Sequence, residues 1–196
     1  MIKTIDVLAY EYRNYSNIYN KIKNEETKNH LIKIKRGLYE TNVNANPLTL
    51  ANSILSPSYI SFETALSYYG MIPERVYAIK SATFMKNKKK EFSNSFGLFL
   101  YFDVNKNAYP YDICQVEIDN TNVYIASREK ALLDMISIIS PRNNIKELED
   151  LIFNDLRIDE IIFEQLDFSK MIKLCDLYCS KSIKLLKKYL GEKNDK

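Results

Sequence analysis

The first residues that could support chemistry are two carboxylates, Asp112 and Glu117, in a stretch typical of β-strands. Paired carboxylates can hold a divalent metal ion for hydrolysis of phosphodiesters. Metal-dependent nucleases with such a pair also need a lysine two residues after the second acid, and here that position is Asp119. The two carboxylates are therefore interpreted as part of the solvated face of a hairpin, and no catalytic residue is predicted.

The thiols and the imidazole do not form a site either. Cys175 and Cys179 have the i, i+4 spacing of one helix face, but a structural zinc site normally has four ligands. The only histidine, His30, lies far away in the sequence. We expect core cysteines, no metal site and no cofactor. General-base chemistry is not indicated, because the chain has one histidine and neither a phosphate-binding glycine loop nor a Ser/His/Asp set.

Composition narrows the class of protein further. The chain has 196 residues, of which 46% are hydrophobic and 12% aromatic, and this is ample for a packed core. It has no apolar run of about 18 residues and no leader pattern, so neither a membrane span nor a signal peptide is predicted. Its 3 cysteines lack a disulfide framework spacing. A cytoplasmic protein with reduced thiols is therefore expected.

The net charge of +3 is unevenly distributed along the chain. Residues 1–40 carry a net charge of +3, residues 128–167 carry −5, and residues 168–196 carry +5. Basic ends are typical of proteins that contact nucleic acid, although solvated helix faces give the same pattern.

Residues 1–41 predict a short winged helix-turn-helix. A helix (2–12), a second helix (16–29) and a strand (31–35) with alternating apolar and basic residues are followed by a tight turn and a return strand (38–40). In such units the second helix enters the major groove, and the wing contacts phosphates or the minor groove. The predicted DNA-binding residues are Asn17, Tyr19, Asn20, Lys21, Lys23, Lys28, Lys33, Lys35 and Arg36.

Two acidic residues on the second helix argue against this interpretation. Asparagine can read adenine edges, and lysine or arginine can neutralise phosphates. Glu25 and Glu26 would instead repel the DNA backbone. A winged helix used only for protein contact would tolerate both, so the two interpretations stay open.

A polar, Asn-rich segment (42–46) precedes residues 46–196, for which an α+β domain is predicted. Its expected features are a mainly antiparallel sheet and a helical C-terminal part. The predicted strands are 75–83, 96–104, 113–118 and 123–126.

Two groups of lysines predict a partner-binding surface. The loop between the first two of these strands contains Lys86, Lys88, Lys89 and Lys90, and the last helix presents Lys181, Lys184 and Lys188 at positions i, i+3 and i+7. Such surfaces suit an acidic partner. The alternative is a solubilising face beside the acidic block.

The stretch from Ser58 to Pro73 predicts a short helix. Ser61 is expected to cap it, Glu63 lies in the first turn where the helix dipole favours a carboxylate, and Gly70 is expected to end it in a left-handed conformation. The apolar face predicted for the core comprises Phe62, Ala65, Leu66 and Tyr69, while a role in partner contact stays open for Ser58, Tyr59 and Glu63.

Lys130 and Asp134 are spaced i, i+4 on a predicted apolar helix. This spacing predicts a buried or half-buried ion pair. The alternative, a catalytic lysine, lacks a nearby nucleophile or phosphate loop.

Three of these segments together resemble a known family. They are similar to motifs of the AbiEi-type antitoxins of type IV toxin–antitoxin systems, which act in abortive infection, a phage defence. In chain order the segments are residues 34–40 (Ile-Lys-Arg-Gly-Leu-Tyr-Glu), Ser58–Pro73, and residues 127–134 (Ser-Arg-Glu-Lys-Ala-Leu-Leu-Asp), the same order as in the family. The resemblance covers residues 31–134. The N-terminal module is shorter than that of the family.

The resemblance implies a non-enzymatic cytoplasmic antitoxin and transcriptional repressor. Such a protein counters a cognate nucleotidyltransferase toxin and represses its own operon by binding operator DNA through the winged helix. A second hypothesis is a protein-interaction module that neutralises a toxin without binding DNA. An enzyme with an unfamiliar site is the third.

Overall fold

The computed structural model describes residues 1–74 and 76–194. Arg75, where the first strand of the larger domain was expected to begin, lies outside the described residues, as do Asp195 and Lys196 at the end of the predicted 46–196 domain. The described chain combines helices with antiparallel and mixed sheets, which confirms the α+β prediction.

The N-terminal unit consists of a three-stranded sheet, in the order β1-β3-β2, and two helices. Its elements are β1 (Ile2–Thr4), α1 (Ile5–Glu11), α2 (Ile18–Thr27), β2 (Ile32–Lys35) and β3 (Leu38–Glu40). The predicted helix from residue 2 is wrong for its first three residues, because they pair with β3. The helix begins only after Thr4, whose hydroxyl accepts a hydrogen bond from the Val7 N–H (3.4 Å).

The larger part contains a six-stranded sheet followed by a helical region. The elements of the sheet region are α3 (Pro47–Ile54), β4 (Tyr59–Ile60), α4 (Phe62–Tyr68), β5 (Ala78–Thr83), β6 (Lys90–Asn94), β7 (Gly97–Asp103), β8 (Ile113–Ile118) and β9 (Thr121–Ala126). The helical region comprises α5 (Arg128–Ile138), α6 (Ile145–Glu149), a π-helical turn (Asp150–Asp155), α7 (Glu160–Glu164), α8 (Phe168–Cys175) and α9 (Lys181–Asn194).

The sheet with strand order β6-β7-β5-β4-β9-β8 is mixed, and three of its five neighbouring pairs are antiparallel, as the predicted mainly antiparallel sheet requires. The pairs β5–β7 and β4–β9 are parallel, and the other neighbours are antiparallel. The basic loop predicted at 85–90 ends one residue earlier, because Lys90 pairs with Tyr101 as the first residue of β6. The central strand β4 has only two residues and therefore no periodicity by which the sequence could reveal it.

Helices cover both faces of the large sheet. Tyr59 and Ile60 follow each other on β4, so their side chains point to opposite faces. The Tyr59 hydroxyl reaches Asp134 on α5. On the face of Ile60, the Tyr101 hydroxyl donates to the Ala51 carbonyl of α3 (2.6 Å). The position of β4 thus brings the motif residue Tyr59 against α5.

Two apolar clusters divide the interior. Leu8, Ile22, Leu31 and Tyr39 form the small core of the N-terminal unit. Ile34 and Leu38, also from that unit, belong instead to the larger core.

Polar contacts reinforce the docking of the unit. Lys35 Nζ donates to the Ile54 carbonyl (2.5 Å), and Asn94 Nδ2 donates to the Ile34 carbonyl (3.0 Å).

The division into 1–41 and 46–196 stays a prediction about independent folding. Within residues 1–74 and 76–194, no helix is long and apolar enough to cross a membrane.

Gly70 ends α4 at φ +68°, and a Cβ at this position would meet no atom within 4 Å. Backbone strain is therefore the main effect expected of Gly70→Val, because a β-branched residue is disfavoured at positive φ. We expect a loss of about 1–2 kcal/mol in the free energy of unfolding, measured by urea denaturation. Gly191→Ala, in open space within α9, is the matched control and should instead gain about 0.5–1 kcal/mol. Equal stability of Gly70→Val and wild type would contradict the strain argument.

Candidate functional site

The exposed side of α2 and the β2–β3 turn carry the residues predicted to bind DNA. Lys21 and Lys35 are half-buried. The others are exposed: Asn17, Tyr19, Asn20, Lys23, Lys28, Lys33 and Arg36. Most of the predicted residues are therefore exposed to solvent on the N-terminal unit.

Three members of the set have structural contacts. The Asn17 side chain accepts from the Asn20 N–H (3.0 Å) and so caps α2. Lys21 Nζ binds Glu25 (2.6 Å) and lies 4.8 Å from the ring centroid of Tyr15, and its pKa is raised mainly by the hydrogen bond to Glu25. The Lys35 ammonium faces the larger part of the protein, as described above. Its contribution to a DNA surface is therefore weaker than the sequence suggested.

The acidic residues that argued against DNA binding are only partly accessible. Glu25 is buried and also contacts His30 Nδ1 (2.8 Å). Hydrogen bonds from Lys21 and His30 lower the pKa of Glu25 to about 2. Burial raises the pKa of Tyr39, and the nearby Glu26 carboxylate adds to that shift. The Glu25 charge is therefore offset by Lys21, and Glu26 is half-buried.

Because its folded pKa is depressed from the ordinary value of 4.5, Glu25 contributes stability that is fully present above that pH. This contribution is lost as the pH falls toward about 2. We expect Glu25→Gln to remove it, so the melting temperature of the variant should fall less than that of wild type between pH 5 and pH 2.5. Glu192→Gln, which changes an exposed carboxylate, is the control and should retain the wild-type slope. Parallel pH profiles for wild type and Glu25→Gln would contradict the assignment.

One candidate was missed by the sequence interpretation. Asn24 is exposed on α2, one turn beyond Asn20. Its i, i+4 spacing from Asn20 was the signal that could have identified it. Beside these amides lies a shallow cleft of about 300 Å³, lined by Tyr15, Ser16, Asn17, Asn20, Lys21, Asn24, Glu25 and Lys28.

The motif residues of the larger part meet in one buried network around Asp134. Asp134 Oδ2 accepts from the Tyr59 hydroxyl (2.9 Å) and from Ser61 Oγ (2.8 Å). Asp134 Oδ1 accepts from Lys130 Nζ (3.1 Å) and from the Tyr178 hydroxyl (2.6 Å). The predicted Lys130–Asp134 ion pair is confirmed, and its side chains are only 1% and 0% exposed.

The structure shows what several residues of the Ser58–Pro73 segment contact. Ser61 makes no side-chain cap of α4, so its predicted capping role is wrong: its hydroxyl is taken by Asp134. Tyr59 is fully buried in the same network, whereas Glu63 forms a half-exposed ion pair with Lys80 (2.5 Å). Burial lowers the pKa of the Lys130 ammonium, although the Asp134 carboxylate opposes that shift.

A second polar cluster contains one of the carboxylates considered for a nuclease. Asp112 accepts from Ser127 Oγ and forms an ion pair with Lys170 (3.2 Å). Lys170 also binds Glu129 (2.7 Å), whose pKa is lowered by Lys170 against the effect of burial. Glu117 is exposed on β8. Asp112 thus joins β8, α5 and α8.

The lysines predicted to meet a partner lie mainly at the surface. Lys88, Lys89, Lys181, Lys184 and Lys188 are exposed, and Lys86 and Lys90 are half-buried. Asp103 shapes the loop by accepting from the Lys86 and Asn87 N–H groups (2.9 and 2.7 Å). Lys181, Lys184 and Lys188 lie opposite the buried residues of α9, as their spacing predicted.

The two cysteines at i, i+4 have different surroundings. Cys175 is buried, and burial raises its pKa to about 12. Cys179 is exposed, so the expectation of a core cysteine is wrong there, because the chain leaves helix α8 after Cys175. In the part of the chain that the structure describes, no three His, Cys, Asp or Glu residues are grouped as metal ligands.

No protein-family model and no curated protein sequence matches this chain.

Proposed function

We propose that this protein is an antitoxin of the type IV class that binds operator DNA through its N-terminal unit and counters a nucleotidyltransferase toxin. The observation that carries the DNA-binding part is the free face of α2 with the β2–β3 turn. This face exposes amides and cations, while Glu25 of the same helix is buried and paired with Lys21, and Glu26 is half-buried. Such a face offers phosphate contacts and hydrogen bonds to base edges.

The topology of the unit supports this proposal. Two helices precede a β-hairpin, and β1 joins that hairpin in the order β1-β3-β2. We interpret the unit as an abbreviated winged helix in which α2 is the recognition helix and the β2–β3 turn is the wing. Lys33 and Arg36 are exposed at this wing.

Support for the antitoxin part comes from the motif resemblance. Tyr59 and Ser61 of one motif converge with Lys130 and Asp134 of another on a single buried network. The motif residues therefore form part of the interior, and the counteraction of a toxin is inferred from the motif resemblance. We propose that the protein acts without catalysis of its own.

One observation favours the second candidate, an interaction module that neutralises a toxin without binding DNA. Lys35 of the wing strand binds the Ile54 carbonyl, and Asn94 binds the Ile34 carbonyl, so part of the wing is occupied by the larger domain. A wing docked in this way has less freedom to follow a DNA groove.

Two measurements on the full chain separate these functions. Fluorescence anisotropy with the duplex upstream of its own gene, against an unrelated duplex, tests DNA binding. Co-expression with a nucleotidyltransferase encoded beside it tests toxin neutralisation by cell growth. Binding and rescue together support the proposal, and rescue without binding selects the interaction module. Failure of rescue, with the protein folded and expressed, contradicts the antitoxin assignment.

A further inference from the structure

The centre of the exposed face of α2 carries two amide side chains that no internal hydrogen bond engages. Asn20 and Asn24 are exposed and spaced i, i+4. Within residues 1–74 and 76–194, hydrogen bonds involve only their backbone groups: the Asn20 N–H donates to Asn17, and the Asn24 carbonyl accepts from the Lys28 N–H. The Asn17 amide, by contrast, is used as the helix cap.

Charged groups near these amides lie at the margins of the face. Lys23 and Lys28 are exposed on either side. Lys21 forms an ion pair with Glu25 (2.6 Å), whose side chain is 11% exposed at the edge of the cleft beside the amides. The middle of the face therefore offers amides, while its margins offer cations suited to phosphates.

This arrangement favours one kind of base pair. An asparagine amide can donate and accept at the same time, which matches the N7 acceptor and N6 donor that adenine shows in the major groove. A lysine or arginine in the same place would favour guanine, and a carboxylate would favour cytosine. Two amides one helical turn apart are about 6 Å apart along the axis, or roughly two base-pair steps.

We propose that α2 selects A·T base pairs, with Asn20 and Asn24 each binding the major-groove edge of one adenine. This inference rests on the proposed binding of duplex DNA by the N-terminal unit. It adds a specificity: two adenines within about three base pairs of each other, flanked by phosphates that Lys23 and Lys28 contact.

Selection from a randomised duplex pool tests this with the full-length protein and its Asn20→Ala and Asn24→Ala variants. We expect wild type to select the two adenines and each variant to lose selection at one of them. Affinity for the selected duplex should fall about ten- to a hundredfold in each variant. Lys23→Ala is the matched control, because loss of a phosphate contact weakens all sequences alike and leaves the selected sequence unchanged. Both asparagines are exposed, and circular dichroism checks that the variants fold.

A single-atom change in the DNA gives a second test. Placing 7-deazaadenine at a selected position removes the N7 acceptor. It should weaken wild type about tenfold and leave the matching asparagine variant unaffected. A wild-type sequence preference that persists in both variants, or a preference for G·C pairs, overturns this inference and leaves DNA binding intact. Absence of wild-type binding to any duplex at 50 mM salt overturns the proposed function as well.

Discussion

Asp134→Ala should lower the free energy of unfolding by about 3–5 kcal/mol, the range measured when one partner of a buried ion pair is removed. The carboxylate is fully buried and accepts from Lys130 and the hydroxyls of Tyr59, Ser61 and Tyr178. Its removal leaves the hydroxyls of Tyr59, Ser61 and Tyr178 without their acceptor. It also leaves the buried Lys130 ammonium without a counter-charge, with only the Tyr178 hydroxyl as acceptor (2.9 Å). Urea denaturation followed by circular dichroism measures the change.

The matched control is another i, i+4 pair. Lys188 and Glu192 on α9 are 3.8 Å apart, with side chains 69% and 57% exposed. Glu192→Ala should cost no more than about 0.5 kcal/mol, because exposed pairs are screened by solvent. A similar small loss in Asp134→Ala would show that the buried network does not hold the domain together.

A second variant, Lys130→Met, tests which member of the buried ion pair contributes more to stability. The variant keeps the Asp134 carboxylate with its hydroxyl donors from Tyr59, Ser61 and Tyr178. We expect its loss of stability to be smaller than that of Asp134→Ala, since hydrogen bonds to a charged acceptor are retained. The reverse order would indicate that the ammonium, rather than the carboxylate, organises the network.

The double variant Lys33→Ala/Arg36→Ala should bind duplex DNA about a hundredfold more weakly, at roughly tenfold for each lost charge-assisted hydrogen bond. Both side chains are exposed at the wing, and neither makes an ion pair among the residues that the structure describes. Binding should weaken for all sequences alike. The slope of log K against log salt should fall by about two, as expected for two lost phosphate contacts. Anisotropy titrations between 50 and 200 mM salt measure both quantities.

Lys35→Met is the control for this experiment. It removes a cation from the same strand, but one whose ammonium binds the Ile54 carbonyl. We expect an unchanged salt slope and a small loss of stability. If Lys35→Met reduces the slope and the double variant does not, the wing contacts DNA through a different face from the one proposed.

The sequence by itself determined what depends on neighbours along the chain. The i, i+4 spacing of Lys130 and Asp134 predicted their ion pair, and periodicity predicted the exposed lysines of α9. The β8–β9 hairpin was predicted within two residues of its observed bounds. In each case the residues that form the pattern are close to one another in the sequence, so the local pattern is sufficient to predict the contact.

Only the tertiary structure decided which distant groups meet. Ser61 was predicted to cap its own helix, but its hydroxyl binds Asp134, 73 residues away. No pattern in the sequence indicated that the Tyr178 hydroxyl binds the same Asp134 carboxylate. Burial and long-range hydrogen bonds depend on the packing of whole elements, and a buried polar group is bound by whatever partner that packing supplies.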